Sequence, residues 1–301
     1  MGISAKQISS ILNGYSIEVT PASAANVVNF RDHLSQGTTV NVTFLPGSKL
    51  KDTIDVSIRL NNEGFNPVPH IAARNFESEV ELEMFLDHLT SKAGVSEVLV
   101  IAGGISKPLG PYADSLKILT SGLLEKYAIG KVGVAGHPEG SPDIGAGDII
   151  KAIKDKNEWA KNTEIEVYIA TQFCFEVDPI ISWELKLRQD GNKLPIHVGL
   201  PGLATLKTLL KFAKMSGIGP SMRVLTRQSK NLAKLILVQE PDKIISELAY
   251  AKEQDPKSLI SKVHFYPFGG LAKTATWVNR VLAGHITFDS KNSFKVRDKD
   301  S

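Results

Sequence analysis

Polar side chains that can transfer protons or recognise a heterocycle stand at isolated points in apolar segments. Glu18 interrupts Tyr-Ser-Ile-Glu-Val, where loss of water would favour the protonated form that a general acid needs. His70 follows Pro-Val-Pro and could bind a ligand or move a proton. Gln172 follows Ala-Thr, and its amide can donate and accept hydrogen bonds at once, which suits the edge of a heterocycle.

Each of these residues also has a structural interpretation. Glu18 could be a solvated residue on an edge strand, and the residues alone leave both interpretations open. His70 could be a structural histidine whose hydrogen bonds are satisfied within the core. Gln172 could be a buried amide that is hydrogen-bonded to the backbone.

Two loops add candidates for ligand binding. Ala102-Gly103-Gly104 allows a ligand close to the backbone, although it is not the Gly-x-Gly-x-x-Gly pattern of a dinucleotide-binding domain. The polar segment 136–142 contains two prolines and leads into a helix near Asp148, so it could position a cofactor. A plain surface turn is the alternative.

Composition excludes several classes of function. A net charge of +3 without a basic run argues against nucleic acid as a partner. Cys174 is the single cysteine, and the histidines have no metal-ligand spacing, so we expect neither a disulfide nor a metal site. We find no signal peptide and no apolar stretch of about 18 residues, which favours a cytoplasmic protein without membrane contact.

A repeat of short apolar strands must position these candidates. The predicted strands cover residues 15–20, 40–44, 68–72, 98–102, 131–135, 166–171, 196–200 and 263–267. Helical periodicity covers 77–91, 112–125, 203–215 and 242–253. In the first of these helices the apolar positions are Val80, Met84, Phe85 and Leu89.

Eight strands alternating with helices predict a single-domain α/β fold, the (β/α)8 TIM barrel, over residues 1–290. An open doubly wound sheet is the alternative. The polar residues 291–301 are predicted to form a mobile tail. Catalytic residues of such barrels lie at the carboxyl ends of the strands, where the candidates above fall.

Short motifs in order along the chain resemble the methylenetetrahydrofolate reductase family. They are Pro-His-Ile at 69–71, Val-Ala-Gly-His-Pro-Glu-Gly-Ser-Pro at 134–142, Thr-Gln-Phe-Cys-Phe-Glu at 171–176, Pro-Gly at 201–202, Lys-Phe-Ala-Lys at 211–214 and His-Phe-Tyr at 264–266. The resemblance implies a barrel that binds FAD and interconverts 5,10-methylenetetrahydrofolate and 5-methyltetrahydrofolate in one-carbon and methionine metabolism. It further implies NADH or NADPH as electron donor, a reduced folate as substrate and a possible homo-oligomer.

The resemblance also assigns roles to residues. Glu18 falls on the family's general acid, and Gln172 falls on the residue that contacts the folate pterin. Lys154 is an alternative to Lys156 as a phosphate ligand. The positions implied to contact FAD are Thr43, His70, Ala102, Gly103, Tyr112, Ala113, Ala135, His137, Ser141, Asp148 and Lys156.

Departures from the family pattern leave other functions open. Gly104 stands where the family's Arg-Gly-Asp has its aspartate, and the arginine expected near Gly270 is missing. His137 and Ser141 replace a tyrosine and a histidine. One alternative is an enzyme that oxidises 5-methyltetrahydrofolate released by a demethylase. The other is a folate- or flavin-binding subunit without turnover.

Overall fold

Eight parallel strands close into a barrel in the computed structural model, which describes residues 3–45, 47–215, 235–289 and 293–297. Consecutive strands are hydrogen-bonded neighbours, and the last lies beside the first. In chain order they are β1 (Ser16–Val19), β2 (Thr39–Val42), β3 (Asn66–Ala72), β4 (Glu97–Ile101), β5 (Lys131–Gly136), β6 (Glu166–Phe173), β7 (Ile196–Pro201) and β8 (Ile260–Tyr266). The predicted barrel is confirmed, and the open sheet is excluded because β1 has neighbours on both sides.

Helices connect the strands, and none of those described is long and apolar enough to cross a membrane. In chain order they are α1 (Ala5–Leu12), α2 (Pro21–Ala24), α3 (Leu50–Asn62), α4 (Glu79–Ala93), α5 (Ser115–Leu119), α6 (Leu123–Lys126), α7 (Ala146–Ala160), α8 (Val177–Gln189), α9 (Leu206–Met215), α10 (Asp242–Gln254) and α11 (Leu271–Leu282). A two-residue strand, Ala204–Thr205, pairs with Val238–Gln239 outside the barrel.

Apolar side chains from several strands fill the barrel interior. Val68, Leu99, Tyr168 and Ala170 pack together from β3, β4 and β6. Gly133 on β5 leaves the space that they need, because a Cβ there would lie 2.7 Å from Leu99 Cδ1 and from the Tyr168 hydroxyl. Side chains on the same face of β3 and its neighbours therefore point into the barrel.

The predicted apolar face of α4 is partly wrong. Phe85 and Leu89 are buried as expected, but Val80 is 62% exposed and Met84 is 55% exposed. The buried positions are Leu82, Phe85, Leu86, Leu89 and Ala93. These positions are separated by three, one, three and four residues, so they form one stripe along the helix. Val80 and Met84 each lie two residues from Leu82, which is about 200° around the helix, so they are on nearly the opposite side.

The helix predicted over 112–125 is replaced by the two short helices α5 and α6. Asp114 begins α5, since its carboxylate accepts a hydrogen bond of 3.1 Å from the Lys117 amide. Gly122, at φ +77°, separates the two helices. Tyr112 therefore lies in the loop before α5 rather than on a helix.

Internal contacts divide the chain into two units. We call Ser16–Gly136 with Ile150–Ala170 the amino-terminal unit. The carboxy-terminal unit comprises Met1–Tyr15, His137–Ile149 and Thr171–Ser301.

Part of the predicted mobile tail, 291–301, is folded. The strand Phe294–Val296 pairs in antiparallel fashion with Ile286–Phe288. Phe294 is fully buried, and its ring centroid lies 5.7 Å from that of Trp277. Burial of this aromatic side chain outweighs the polar composition around it. Residues 291–292 and 298–301 lie outside the described part of the chain.

Candidate functional site

Glu18, Asn41 and His70 lie on three neighbouring strands and face the same side of the sheet. Glu18 pairs with Asn41 in the parallel ladder, and Asn41 pairs with Val68. His70 follows Val68 by two residues on β3, so their side chains share a face. Since Val68 points into the barrel, the three polar side chains also point inward, close to the carboxyl ends of β1, β2 and β3.

Asn41 links this row to His70. Both residues are buried, and the Asn41 Nδ2 atom lies 3.4 Å from His70 Nε2. With the amide in this orientation Nδ2 donates, which leaves the neutral imidazole's proton on Nδ1. Asn41 is absent from the sequence-based candidates, although it interrupts Val-Asn-Val just as Glu18 interrupts Ile-Glu-Val. That shared signal would have identified it.

Buried polar atoms beside the row fit a polar ligand. Thr43 follows β2, and its amide donates to the Val19 carbonyl at 2.8 Å. Its Oγ1 atom is buried, as is Oδ1 of Asn41, and neither has a hydrogen-bond partner among the described residues. Such atoms usually find partners, so a bound group with donors here would remove a desolvation cost of about 1–3 kcal/mol for each. The predicted cofactor positions Thr43 and His70 therefore fit a flavin with polar edges.

The end of β4 is shaped by glycine. Gly103 has φ +96°, and a Cβ there would meet Asn75 Oδ1 at 2.9 Å. The crowding by Asn75 and the positive φ are therefore enough to require glycine at this position, without any contact to a ligand. Ala102 is half-buried, whereas Gly104 is exposed and leaves no side chain at that point.

Tyr112 and Ala113 are held against the elements beside this loop. Tyr112 is buried, and its pKa is raised by burial and then by the Glu79 carboxylate at the start of α4. Ala113 is exposed, and its carbonyl accepts a 2.8 Å hydrogen bond from Arg74 Nε. Arg74 carried no periodic or motif signal in the sequence, and only the structure reveals its contacts.

The loop after β5 is half-buried over residues 137–141 and is closed by local hydrogen bonds. The His137 carbonyl accepts from the Gly140 amide at 3.1 Å, and Ser141 Oγ accepts from the Asp143 amide at 3.3 Å. Asp148 is exposed in the first turn of α7. The predicted residues His137 and Ser141 are half-buried, as is Ala135 on β5 in the other unit.

The two candidate phosphate lysines of α7 differ in environment. Lys154 is exposed, whereas Lys156 is 5% exposed. Burial lowers the pKa of Lys156 to about 8, and the Asp114 carboxylate partly opposes this shift. Lys156 is therefore directed toward the loop before α5 rather than toward solvent.

Gln172 lies at the end of β6 on a tightly packed backbone. The Tyr266 hydroxyl donates to the Thr171 carbonyl at 2.9 Å, and the Gly199 amide donates to Thr171 Oγ1 at 2.8 Å. A Cβ at Gly199 would lie 2.4 Å from the Thr171 carbonyl oxygen. These contacts fix the strand end that carries the half-buried Gln172.

An aromatic cluster and a cavity of about 310 Å³ follow β7 and β8. Phe268 stacks on Phe212, with ring centroids 4.2 Å apart, and lies 5.0 Å from Phe173. Its φ of +49° is unusual for a residue with a side chain. The cavity is lined by Leu203, Ala204, Thr208, Phe268, Gly269, Gly270, Ala272 and Lys273. No sequence signal distinguished Phe268 from a core aromatic residue.

Other chemistry finds little support in the described residues. Cys174 is buried, and burial raises its pKa well above the ordinary value, so it stays a thiol and packs as a small apolar residue. Within the ranges given above, no group of three or more His, Cys, Asp or Glu side chains could hold a metal ion.

One known protein is similar to this chain in sequence, and another is similar in fold. "Methylenetetrahydrofolate reductase 1" of Schizosaccharomyces pombe is 35% identical over 88 residues, which are 29% of this chain and only 14% of that protein. A structure titled "Uncharacterized protein from Clostridium thermocellum binds two copies of 5-methyl-5,6,7,8-tetrahydrofolic acid" matches with a TM-score of 0.56. It is 12% identical and covers 91% of this chain and 98% of that chain, so it supports the fold alone.

The model of one family covers most of the chain. It is named "Methylenetetrahydrofolate reductase", and it matches residues 13–225 of the 301. This range includes the strand ends that carry Glu18, His70 and Gln172. The chain belongs to the methylenetetrahydrofolate reductase family.

Proposed function

We propose that this protein is a flavin-dependent oxidoreductase that interconverts 5,10-methylenetetrahydrofolate and 5-methyltetrahydrofolate. One observation carries the proposal: Glu18, Asn41 and His70 form an inward-facing polar row at the carboxyl ends of adjacent strands. In a barrel this end holds the chemistry, and the chain belongs to a family of folate reductases.

FAD is the cofactor that we assign to the site. Bound FAD would supply two-electron redox chemistry, while the chain supplies binding and orientation. Thr43 Oγ1 would hydrogen-bond a polar edge of the cofactor, since this buried atom has no partner among the described residues. His70 would fix the ring beside it, and Ala102, Gly103, Tyr112, Ala113 and Ala135 would shape the surrounding wall.

The remaining cofactor assignments concern its outer part. His137 and Ser141 would line FAD from the loop after β5, where both are half-buried. Asp148 would contact ribose or adenine, because its exposed carboxylate accepts hydrogen bonds from hydroxyl or amino groups. Lys156 would contact a phosphate only if its side chain leaves its buried position, which makes exposed Lys154 the simpler partner.

Glu18 is the residue to which we assign acid catalysis. Its carboxyl would donate a proton to N10 of the folate as the five-membered ring opens, and would take it back in the reverse direction. The half-buried position limits water around that proton. Gln172 would bind the pterin through its amide, held by the packed end of β6.

A reduced folate as substrate has further support. The solved Clostridium thermocellum protein that shares the fold is described as binding 5-methyl-5,6,7,8-tetrahydrofolic acid. The electron donor in our proposal is NADH or NADPH. Operation as a 5-methyltetrahydrofolate oxidase is the second candidate, because Gly104 is exposed and places no carboxylate beside the end of β4.

The absorbance spectrum of the purified protein tests the proposal. We expect a flavin spectrum, or its appearance after reconstitution with FAD, and anaerobic bleaching by NADH or NADPH. Methylenetetrahydrofolate should restore the colour, and methyltetrahydrofolate should bleach the oxidised protein if the oxidase direction dominates. A colourless protein that takes up no flavin would contradict the proposal.

A further inference from the structure

The loop after β4, which we call the β4 loop (residues 102–113), is fastened by one arginine. The Arg74 amide donates to the Ala102 carbonyl at 2.9 Å, and the Leu109 amide donates to the Arg74 carbonyl at 2.9 Å. The side chain adds Nε to the Ala113 carbonyl at 2.8 Å and Nη1 to the Ile105 carbonyl at 3.2 Å. A single residue therefore holds both ends and the middle of the loop.

Two glycines let the β4 loop lie directly on the segment that contains Arg74. A Cβ at Gly103 would lie 2.9 Å from Asn75 Oδ1. At Gly110 it would lie 2.4 Å from the Glu77 carbonyl oxygen and 2.5 Å from that of Phe76. The loop thus has no space to shift toward this segment, and Arg74 prevents it from lifting away.

The guanidinium group of Arg74 donates hydrogen bonds to carbonyls of the loop rather than forming an ion pair within the described part of the chain. Among the described residues, no carboxylate lies within ion-pair distance of Arg74, which is half-buried. Its planar donors reach two carbonyls eight residues apart, Ile105 and Ala113. A lysine presents its three N–H donors from one nitrogen rather than from a planar fork, so it could not reproduce both of these hydrogen bonds with the same geometry.

We propose that Arg74 is a positioning residue for cofactor binding. Arg74 follows His70 by four residues, so it ties the β4 loop to the strand end that carries His70. The loop holds four of the positions assigned to FAD, which are Ala102, Gly103, Tyr112 and Ala113. This inference rests on the proposed function, and it adds that the preformed loop sets the affinity for FAD.

The test compares three variants by FAD titration, thermal unfolding and amide hydrogen exchange. Arg74→Ala removes both side-chain bonds, and Arg74→Lys keeps the charge. Arg59→Ala is the matched control, because Arg59 bonds backbone carbonyls at the end of α2 and in the loop after it, including Ala24 at 3.0 Å and Val28 at 3.0 Å. That loop follows β1 and carries no residue assigned to FAD.

We expect Arg74→Ala to weaken FAD binding by about tenfold or more, since two charge-assisted hydrogen bonds order the loop. Arg74→Lys should recover part of this loss. Exchange at the Leu109 amide should quicken in Arg74→Ala only, while Arg59→Ala should lower the melting temperature similarly and leave FAD affinity within about threefold.

Two results would overturn the inference. One is wild-type FAD affinity in Arg74→Ala, and the other is an equal loss of affinity in Arg59→Ala at equal loss of stability. Failure of the wild-type protein to bind FAD would instead reject the proposed function, and in that case hydrogen exchange still shows whether Arg74 holds the β4 loop.

Discussion

The inward row on β1–β3 and the loop after β5 both carry residues assigned to the site, yet they differ in how firmly the chain holds them. Asn41 and His70 are buried and bonded to each other, and Glu18 is fixed by its register opposite Asn41. After β5, the hydrogen bond of Ser141 among the described residues lies within its own turn, and Asp148 is exposed at the start of α7. Strands give a side chain its direction through alternation, whereas a loop does not.

This difference suggests that the two regions have different roles in the site. Groups that handle a proton must be held within a fraction of an ångström, which suits the strand ends. Groups that contact the outer part of a cofactor can adapt as it binds. Substitutions in the row should therefore change the chemistry, while those in the loop should change binding by small amounts.

The largest expected effect is that of Glu18→Gln, which keeps the shape of the side chain but removes its proton. Reoxidation of the reduced protein by methylenetetrahydrofolate should slow by roughly 10²–10⁴-fold if Glu18 is the general acid. FAD content and anaerobic bleaching by the donor should barely change. Stopped-flow measurement of the two half-reactions separates these effects.

Glu97→Gln is the matched control for this prediction. Glu97 is also a glutamate on a barrel strand, but it is buried rather than half-buried, begins β4 and accepts from Asn66 Nδ2 at 3.2 Å. Glu97 thus lies at the end of the barrel opposite the candidate site. A substitution there is expected to affect only the stability of the protein. Normal reoxidation in Glu18→Gln would remove this residue from the mechanism, and loss of flavin would assign it a structural role.

An intermediate effect concerns Lys156, the buried charge of α7. Its folded-state pKa of about 8 is lower than the ordinary lysine pKa of 10.5, so the unfolded chain holds the proton more tightly. Stability should therefore rise as pH increases from about 8 to about 10.5, by up to about 3 kcal/mol. Chemical denaturation across this range measures the change.

Lys156→Met isolates this contribution. The variant should be more stable than the wild type at pH 7, and the difference should vanish near pH 10.5. Lys154→Met, on the exposed side of the same helix, should change stability by less than about 0.5 kcal/mol. If FAD affinity falls only in Lys156→Met, Lys156 and not Lys154 contacts a phosphate, contrary to its buried position.

Periodicity in the sequence was enough to predict the barrel and the approximate location of each of its eight strands. The apolar stripe of α4 was partly wrong, because Val80 and Met84 are apolar but lie on the exposed side. Within the site, Glu18 and His70 were identified as isolated polar residues near strand ends. Arg74 could not be, because its role depends on carbonyls about 30 to 40 residues away in the chain, which no local pattern encodes.

The smallest effects come from deleting one hydroxyl in each region, Thr43→Val and Ser141→Ala. Thr43 Oγ1 is buried without a hydrogen-bond partner among the described residues, so its loss should cost the unliganded protein no stability. FAD affinity should nevertheless fall by about three- to tenfold, the value of one neutral hydrogen bond. Ser141 Oγ is already bonded to the Asp143 amide, so Ser141→Ala should change FAD affinity by less than about threefold. Titration of both apoproteins with FAD, alongside their melting temperatures, measures these differences. A larger loss of affinity in Ser141→Ala than in Thr43→Val would reverse the comparison, because the loop would then hold the cofactor more firmly than the strand end.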